Sequence, residues 1–206
     1  MNCARCKTVE CYTKGKDCTG GKGEIFELYK EDPQALAIMG AAAALLEAEG
    51  YMMVPRVQEV ILFGQKMGYR HLGMAFCAAL HREARLLAEL LEPHFQITSA
   101  CCKVCGIAKE DFDLPNLRDN PAEVMCNPVG QADILNRAGT ELNLLVGLCL
   151  GHDMLFTKNS AAPVSTVIVK DRVLANNPAG ALYSPNWMRM IKENTLPGKG
   201  KSTDDK

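Results

Sequence analysis

The rhythm of apolar positions changes along this chain, and the changes divide it. Residues 1–23 carry almost no apolar side chains besides cysteine, so hydrophobic burial cannot order them. From Asp32 the pattern turns helical. Asp32 suits an N-cap and Pro33 a first helical position. Residues 36–48 are apolar nearly all round, with Gly50 as a stop. A helix of that kind is expected to be buried. A second helix starts at Pro55. Its Val57, Val60, Ile61, Gly64 and Met67 recur at helical spacing, and Gly68 ends it.

Beyond Gly68, short apolar runs alternate with helical patterns. Strands are predicted at residues 70–77, 95–102, 143–149 and 164–170. Leu80, Ala84, Leu87 and Leu91 mark a helix that ends before Pro93. Further helices are predicted at 128–138 and 152–158, with a last turn at 178–183. Residues 106–125 form a polar excursion containing Pro115 and Pro121. Alternating strands and helices imply parallel strands joined by right-handed crossovers. The expected fold class is therefore α/β. It is a small parallel sheet with flanking helices, preceded by two helices and an N-terminal cysteine-rich metal module. The expected domains are that module at 1–23, an α/β domain at 24–197, and a disordered tail at 198–206.

Charge narrows the function classes. Lys and Arg number 23 against 24 Asp and Glu, a net charge of −1 over 206 residues. That balance argues against a nucleic-acid partner, whose footprint is a basic excess, and gives no reason to expect an anionic membrane. The longest apolar stretch, 36–46, falls well short of the ~20 residues that cross a bilayer. The first residues lack the apolar core of an export signal, so a cytoplasmic protein is expected. In that compartment ten cysteines read as metal ligands or redox groups rather than as disulfides.

Four of the ten, Cys3, Cys6, Cys11 and Cys18, have the spacing C-x2-C-x4-C-x6-C. A C-x2-C pair brings two thiolates to one metal from a tight loop, and two more complete the shell. Zinc and a 4Fe–4S cluster both suit it. The others gather elsewhere. In an open parallel sheet, ligands bind beyond the carboxyl ends of the strands. The predicted strands end at Cys77, at Cys101-Cys102 and at Cys149, and Cys126 lies just before the helix at Pro128. Cys101 and Cys102 point to opposite faces, so Cys102 is favoured as the ligand and Cys101 as core. The working set is Cys102, Cys126 and Cys149, with Cys77 or Cys105 as supplements. Three thiolates on a four-iron cluster would leave one iron open to substrate.

These motifs carry a resemblance. Cys101-Cys102-Lys103-Val104, Cys126-Asn127-Pro128, the run Gly147-Leu148-Cys149-Leu150-Gly151-His152-Asp153, and Lys170-Asp171-Arg172-Val173-Leu174 are its core. With Asn177-Pro178-Ala179-Gly180-Ala181-Leu182-Tyr183 they resemble a domain-of-unknown-function family of cysteine-rich bacterial and archaeal proteins. The resemblance covers most of residues 1–185 and implies metal binding, not a particular reaction. Cys105 stands where the resembling family carries glycine.

Beside Cys149, His152 is a candidate acid, base or ligand, and Asp153 a candidate to orient it. Lys158, Lys170, Asp171 and Arg172 are candidates for binding an anionic substrate. Walker A, dinucleotide-binding and nucleophile-elbow motifs are absent. The expectation is an iron–sulfur protein with one or two 4Fe–4S clusters. It would act in redox or Lewis-acid chemistry on a small substrate, as an oxidoreductase, a lyase or a sulfur-handling enzyme. A redox partner protein and a homo-oligomer are compatible with it. The alternatives are a zinc protein without catalysis, with zinc at the N-terminal site, and a thiol-redox enzyme using Cys101, Cys102 or Cys105.

Overall fold

A computed structural model describes residues 2–48, 52–116 and 123–195. The expectations placed on Gly50, on Pro121 and on the tail from Gly198 lie outside them. The chain forms two compact units, Met1–Pro55 and Arg56–Lys206. Helices over 22–48 thus group with the cysteine-rich segment, whereas the hydrophobic pattern places a boundary at residue 23.

In the first unit, a 3-10 turn at Cys3–Arg5 precedes three helices: α1 (Glu10–Lys14), α2 (Lys22–Glu31) and α3 (Pro33–Ala48). Local polar bonds hold its first part, since nothing in residues 2–23 is buried. Lys14 and Lys16 both reach the Glu10 carboxylate at 2.8 Å. One Asp17 oxygen accepts from the Thr19 hydroxyl (2.7 Å), the Thr19 N–H (2.8 Å) and the Gly20 N–H (3.0 Å). These contacts, the Thr19 hydroxyl foremost, lower the Asp17 carboxyl to about 2. Asp32 starts α3 as expected, its Oδ1 accepting from the Ala35 N–H at 3.0 Å. The burial expected of this helix is corrected. Leu36 and Met39 are about half exposed, and no described side chain of α3 is buried.

The second unit is a four-strand parallel sheet with flanking helices. Its strands are β1 (His71–Phe76), β2 (Gln96–Cys101), β3 (Leu142–Val146) and β4 (Val164–Ile168), in the order β2-β1-β3-β4. The helices are α4 (Arg56–Lys66), α5 (His81–Leu91), α6 (Pro128–Ala138), α7 (His152–Asn159), α8 (Ala179–Tyr183) and α9 (Pro185–Lys192). Each predicted strand is present, shorter by two residues. The short helix α9 was not expected. Its Ser184 Oγ caps the Trp187 N–H and Pro185 opens its first turn.

Central strands β1 and β3 are buried almost throughout, as strands covered on both faces must be. One face takes Leu80, Ala84, Leu87 and Leu91, the stripe read from the sequence. Close approach is built in at two glycines. A Cβ on Gly64 would stand 2.7 Å from the Phe95 ring, and one on Gly73 would stand 1.9 Å from Asn143 Oδ1. Asn143 is fully buried between β1 and β3 because its polar atoms are satisfied: Thr140 Oγ1 donates to it at 2.7 Å and it donates to Ser160 Oγ at 2.8 Å.

The strand order has a functional consequence. β1 leads outward to β2, and the chain then crosses back to β3 on the other side of β1. The order reverses between β1 and β3, and it is beyond the carboxyl ends at such a reversal that open parallel sheets bind ligands. Cys77 and the Gly147–Cys149 turn are the residues that follow these two strands.

Candidate functional site

The thiols at this edge are positioned by the sheet. Pairing runs one residue past each strand: Cys77 N–H donates to Val146 O (3.1 Å) and Cys102 N–H to Phe76 O (2.9 Å). The β2 end is then tied to the start of α6. Asn127 N–H donates to Cys102 O at 2.8 Å, and Asn127 Oδ1 caps the helix by accepting from Gly130 N–H at 2.8 Å. Pro128 occupies the first helical position, where a missing N–H costs nothing. Gly130 is needed here, since a Cβ would stand 2.4 Å from Asn127 Nδ2. The sequence Cys126-Asn127-Pro128 is therefore a capped helix start that delivers Cys126 to Cys102.

The sulfurs of Cys102 and Cys126 lie 3.9 Å apart. Cys102 is buried and Cys126 half-buried. They share one proton. The bond to Cys126 and burial both push the Cys102 thiol up, so it is the less acidic of the two. Cys126 is the more acidic thiol. The Cys102 hydrogen bond lowers it most; burial opposes, and the nearby charges of Lys103 and His152 help bring it down to about 5. Cys77 is the third member, its sulfur hydrogen-bonded to Cys102. Burial pushes Cys77 up, but the Lys170 ammonium at 3.1 Å, the Ala79 N–H and Cys102 together outweigh it and lower the thiol. Ala78 N–H donates to Cys102 Sγ at 3.3 Å.

Cys149 stands on the same edge after β3, and Arg172 Nη2 donates to its sulfur at 3.0 Å. The Cys149 carbonyl receives the N–H groups of His152 and Asp153, which start α7. The Asp153 carboxylate accepts from Met154 N–H at 2.8 Å, so it serves the first turn of that helix. Asp171 Oδ1 likewise caps its own loop through the Val173 and Leu174 N–H groups. Lys158 is exposed on α7. Cys101 is half-buried at the end of β2 and packs on the core. Cys105 is exposed and has φ 69°, the left-handed region that favours glycine.

Two contributors were not read from the sequence. Lys103 Nζ donates to the Val124 carbonyl and so pins the excursion beside Cys126. Gln131 is fully buried, and its Nε2 donates to Ala100 O (2.7 Å) and Phe76 O (3.2 Å). It clasps the ends of β1 and β2 one turn below the thiols. A lone amide at helical spacing with Pro128, Ala132 and Leu135 was the available signal.

In the first unit, Cys3, Cys6, Cys11 and Cys18 are all exposed. Cys6 accepts from the Val9 N–H at 3.4 Å, and this bond, with those from Thr8, lowers its thiol. Backbone N–H donors around a sulfur are what a thiolate ligand loop offers. Among the described residues, no three His, Cys, Asp or Glu side chains stand in an arrangement that could hold a metal ion. The sheet-edge thiols supply a matched pair, with Cys77 beside it. Nor is any helix among the described residues long and apolar enough to cross a membrane.

Fold and site together define an α/β protein with thiols and cations at the switch point of a parallel sheet. The chain belongs to the DUF1847 family, described as a protein of unknown function, whose profile matches residues 13–167. It is 46% identical over 194 residues to "Uncharacterized protein MJ0455" of Methanocaldococcus jannaschii, across 94% of this chain and 99% of that one. No solved structure matches.

Proposed function

We propose that this chain is a thiolate metalloprotein with an iron–sulfur centre at the sheet edge and a second metal site on Cys3, Cys6, Cys11 and Cys18. One observation carries the reading. Cys77, Cys102, Cys126 and Cys149 come from four separate segments to one edge, and cations face three of them: Lys170 on Cys77, Lys103 by Cys126 and Arg172 on Cys149. Thiolate-bound clusters are anionic, and such cations offset that charge. Cys102 and Cys126 are the central ligands, with Cys149 as a third and Cys77, in contact with Cys102, as a supplement. The centre serves redox or Lewis-acid chemistry on a small anionic substrate, with His152 as proton donor and Asp153 next to it in α7. A small molecule or a redox protein is the partner, in the cytoplasm.

The test is to purify the protein without oxygen and measure iron, acid-labile sulfide and zinc per chain. About eight irons correspond to two four-iron clusters, and about four to one. Cys126→Ser should remove or alter one spectrum. Unchanged iron and sulfide in that variant would defeat the ligand assignment.

A specific observation favours zinc as a second reading. Two thiolates on one tetrahedral ion at ~2.3 Å stand about 3.8 Å apart, close to the spacing of Cys102 and Cys126. Ligands on separate irons of a cluster stand farther apart. A colourless protein with stoichiometric zinc would select this reading.

A further inference from the structure

We infer that Cys102 and Cys126 also form a dithiol that exchanges with disulfide substrates, Cys126 attacking and Cys102 resolving. The inference goes beyond metal binding and stands on geometry. The two sulfurs are 3.9 Å apart, so bond formation at ~2.05 Å needs them to close by about 2 Å. Their backbones are stapled by the Asn127 N–H to Cys102 O bond, one residue beyond Cys126, which limits how far they can part.

Accessibility assigns the roles. Cys102 is 3% exposed, so an incoming disulfide meets Cys126 first. The Cys126 thiolate attacks one sulfur of R–S–S–R. The S–S bond breaks, a Cys126–S–S–R mixed disulfide forms, and one RS⁻ leaves with its electron pair. Cys102 then loses its proton to solvent and attacks the Cys126 sulfur. The intramolecular disulfide forms and the second RS⁻ leaves. The dithiol is oxidised by two electrons and the substrate disulfide is reduced by two. Ala78 N–H, 3.3 Å from Cys102 Sγ, is placed to hold the negative charge that develops on the resolving sulfur. Lys103 and His152 lie near Cys126, where an anionic disulfide would approach.

The cysteines that are exposed, Cys105 among them, give an internal comparison. The full chain is incubated with glutathione disulfide, as isolated without oxygen and again after chelation. Peptide mapping then reads the linkages. A Cys102–Cys126 disulfide in either sample is the expected result. In Cys102→Ser the expected result is glutathione retained on Cys126. The inference is overturned if Cys105 takes up glutathione while the pair stays reduced in both samples. It is also overturned if Cys102 links instead to Cys77, or if Cys126 stays unmodified in Cys102→Ser. Should that variant not fold, the wild-type linkage map decides alone. Metal content of the untreated chain is measured separately, so this inference and the metal reading can fail independently.

Discussion

The acidity of Cys126 can be read as a rate. Its thiol is brought down to about 5, whereas an ordinary exposed thiol ionises near 8.5. Attack on an aromatic disulfide reagent needs the thiolate, but an acidic thiolate is a weaker nucleophile. With a Brønsted slope of ~0.45, a drop of ~3.5 units costs about 40-fold in intrinsic rate. At pH 5.5 about three quarters of Cys126 is ionised against roughly 0.1% of an ordinary thiol, a ~760-fold advantage. The product is a rate about 20-fold above that of a cysteine peptide at pH 5.5. The two should be equal near pH 7, where the ~30-fold ionisation advantage and the intrinsic penalty cancel. At pH 9 Cys126 should be about 30-fold slower, because both thiols are then largely ionised. Partial burial multiplies all three figures by one common factor, so the shape of the profile is the observable. The assay is site-resolved mass spectrometry of Cys126, counted whether labelled or disulfide-linked to Cys102, in metal-free protein against the peptide, from pH 5 to 9. A log rate that still climbs with unit slope between about pH 6 and 8 would refute the assignment of Cys126 as the acidic thiol.

Stability should follow the same group. The folded state lowers the Cys126 pKa, so the stabilisation is present at high pH and is lost as pH falls from ~8.5 toward 5. Urea midpoints of the metal-free chain should therefore decline across that window, and the decline should shrink in Cys126→Ser. Asn127→Ala removes a helix cap and should cost at least ~1 kcal/mol in urea unfolding. Gly73→Ala puts a Cβ into Asn143, which Thr140 and Ser160 hold in place, and should cost about 3 kcal/mol or prevent folding. Cys105→Gly relieves a left-handed residue and should raise the unfolding temperature, by up to about 1 kcal/mol in stability, without changing Cys126 labelling.

Periodicity determined most of the second unit. A strand buried on both faces must read as an apolar run, and a helix lying on it must show its stripe. Residues 71–76, 81–91, 128–138 and 164–168 were legible for that reason. Motif chemistry was legible in the Cys-Asn-Pro helix start, because capping is local. In the first unit the pattern misled: α3 is apolar all round, yet an apolar run does not state what covers it. The helices α1 and α2 were missed because they bury nothing and carry no side-chain cap, and α9 although Trp187, Met188 and Ile191 recur at helical spacing after the Ser184-Pro185 start.

The site needed the tertiary structure. That cysteines collect at strand ends follows from the sequence. Which of them meet depends on strand order, and order is set by crossovers between distant segments. The pairing of β1 with β2 places Cys77 beside Cys102, and the Asn127 staple sets Cys126 against Cys102 rather than Cys101. The cations then divide the thiols further, Lys170 taking Cys77 and Arg172 taking Cys149. A one-dimensional pattern cannot carry this, because electrostatics and proton sharing act over a few ångströms between residues as many as 93 positions apart. The sequence by itself determined which groups are available and at which edge. Packing alone decided which sulfur is the more acidic.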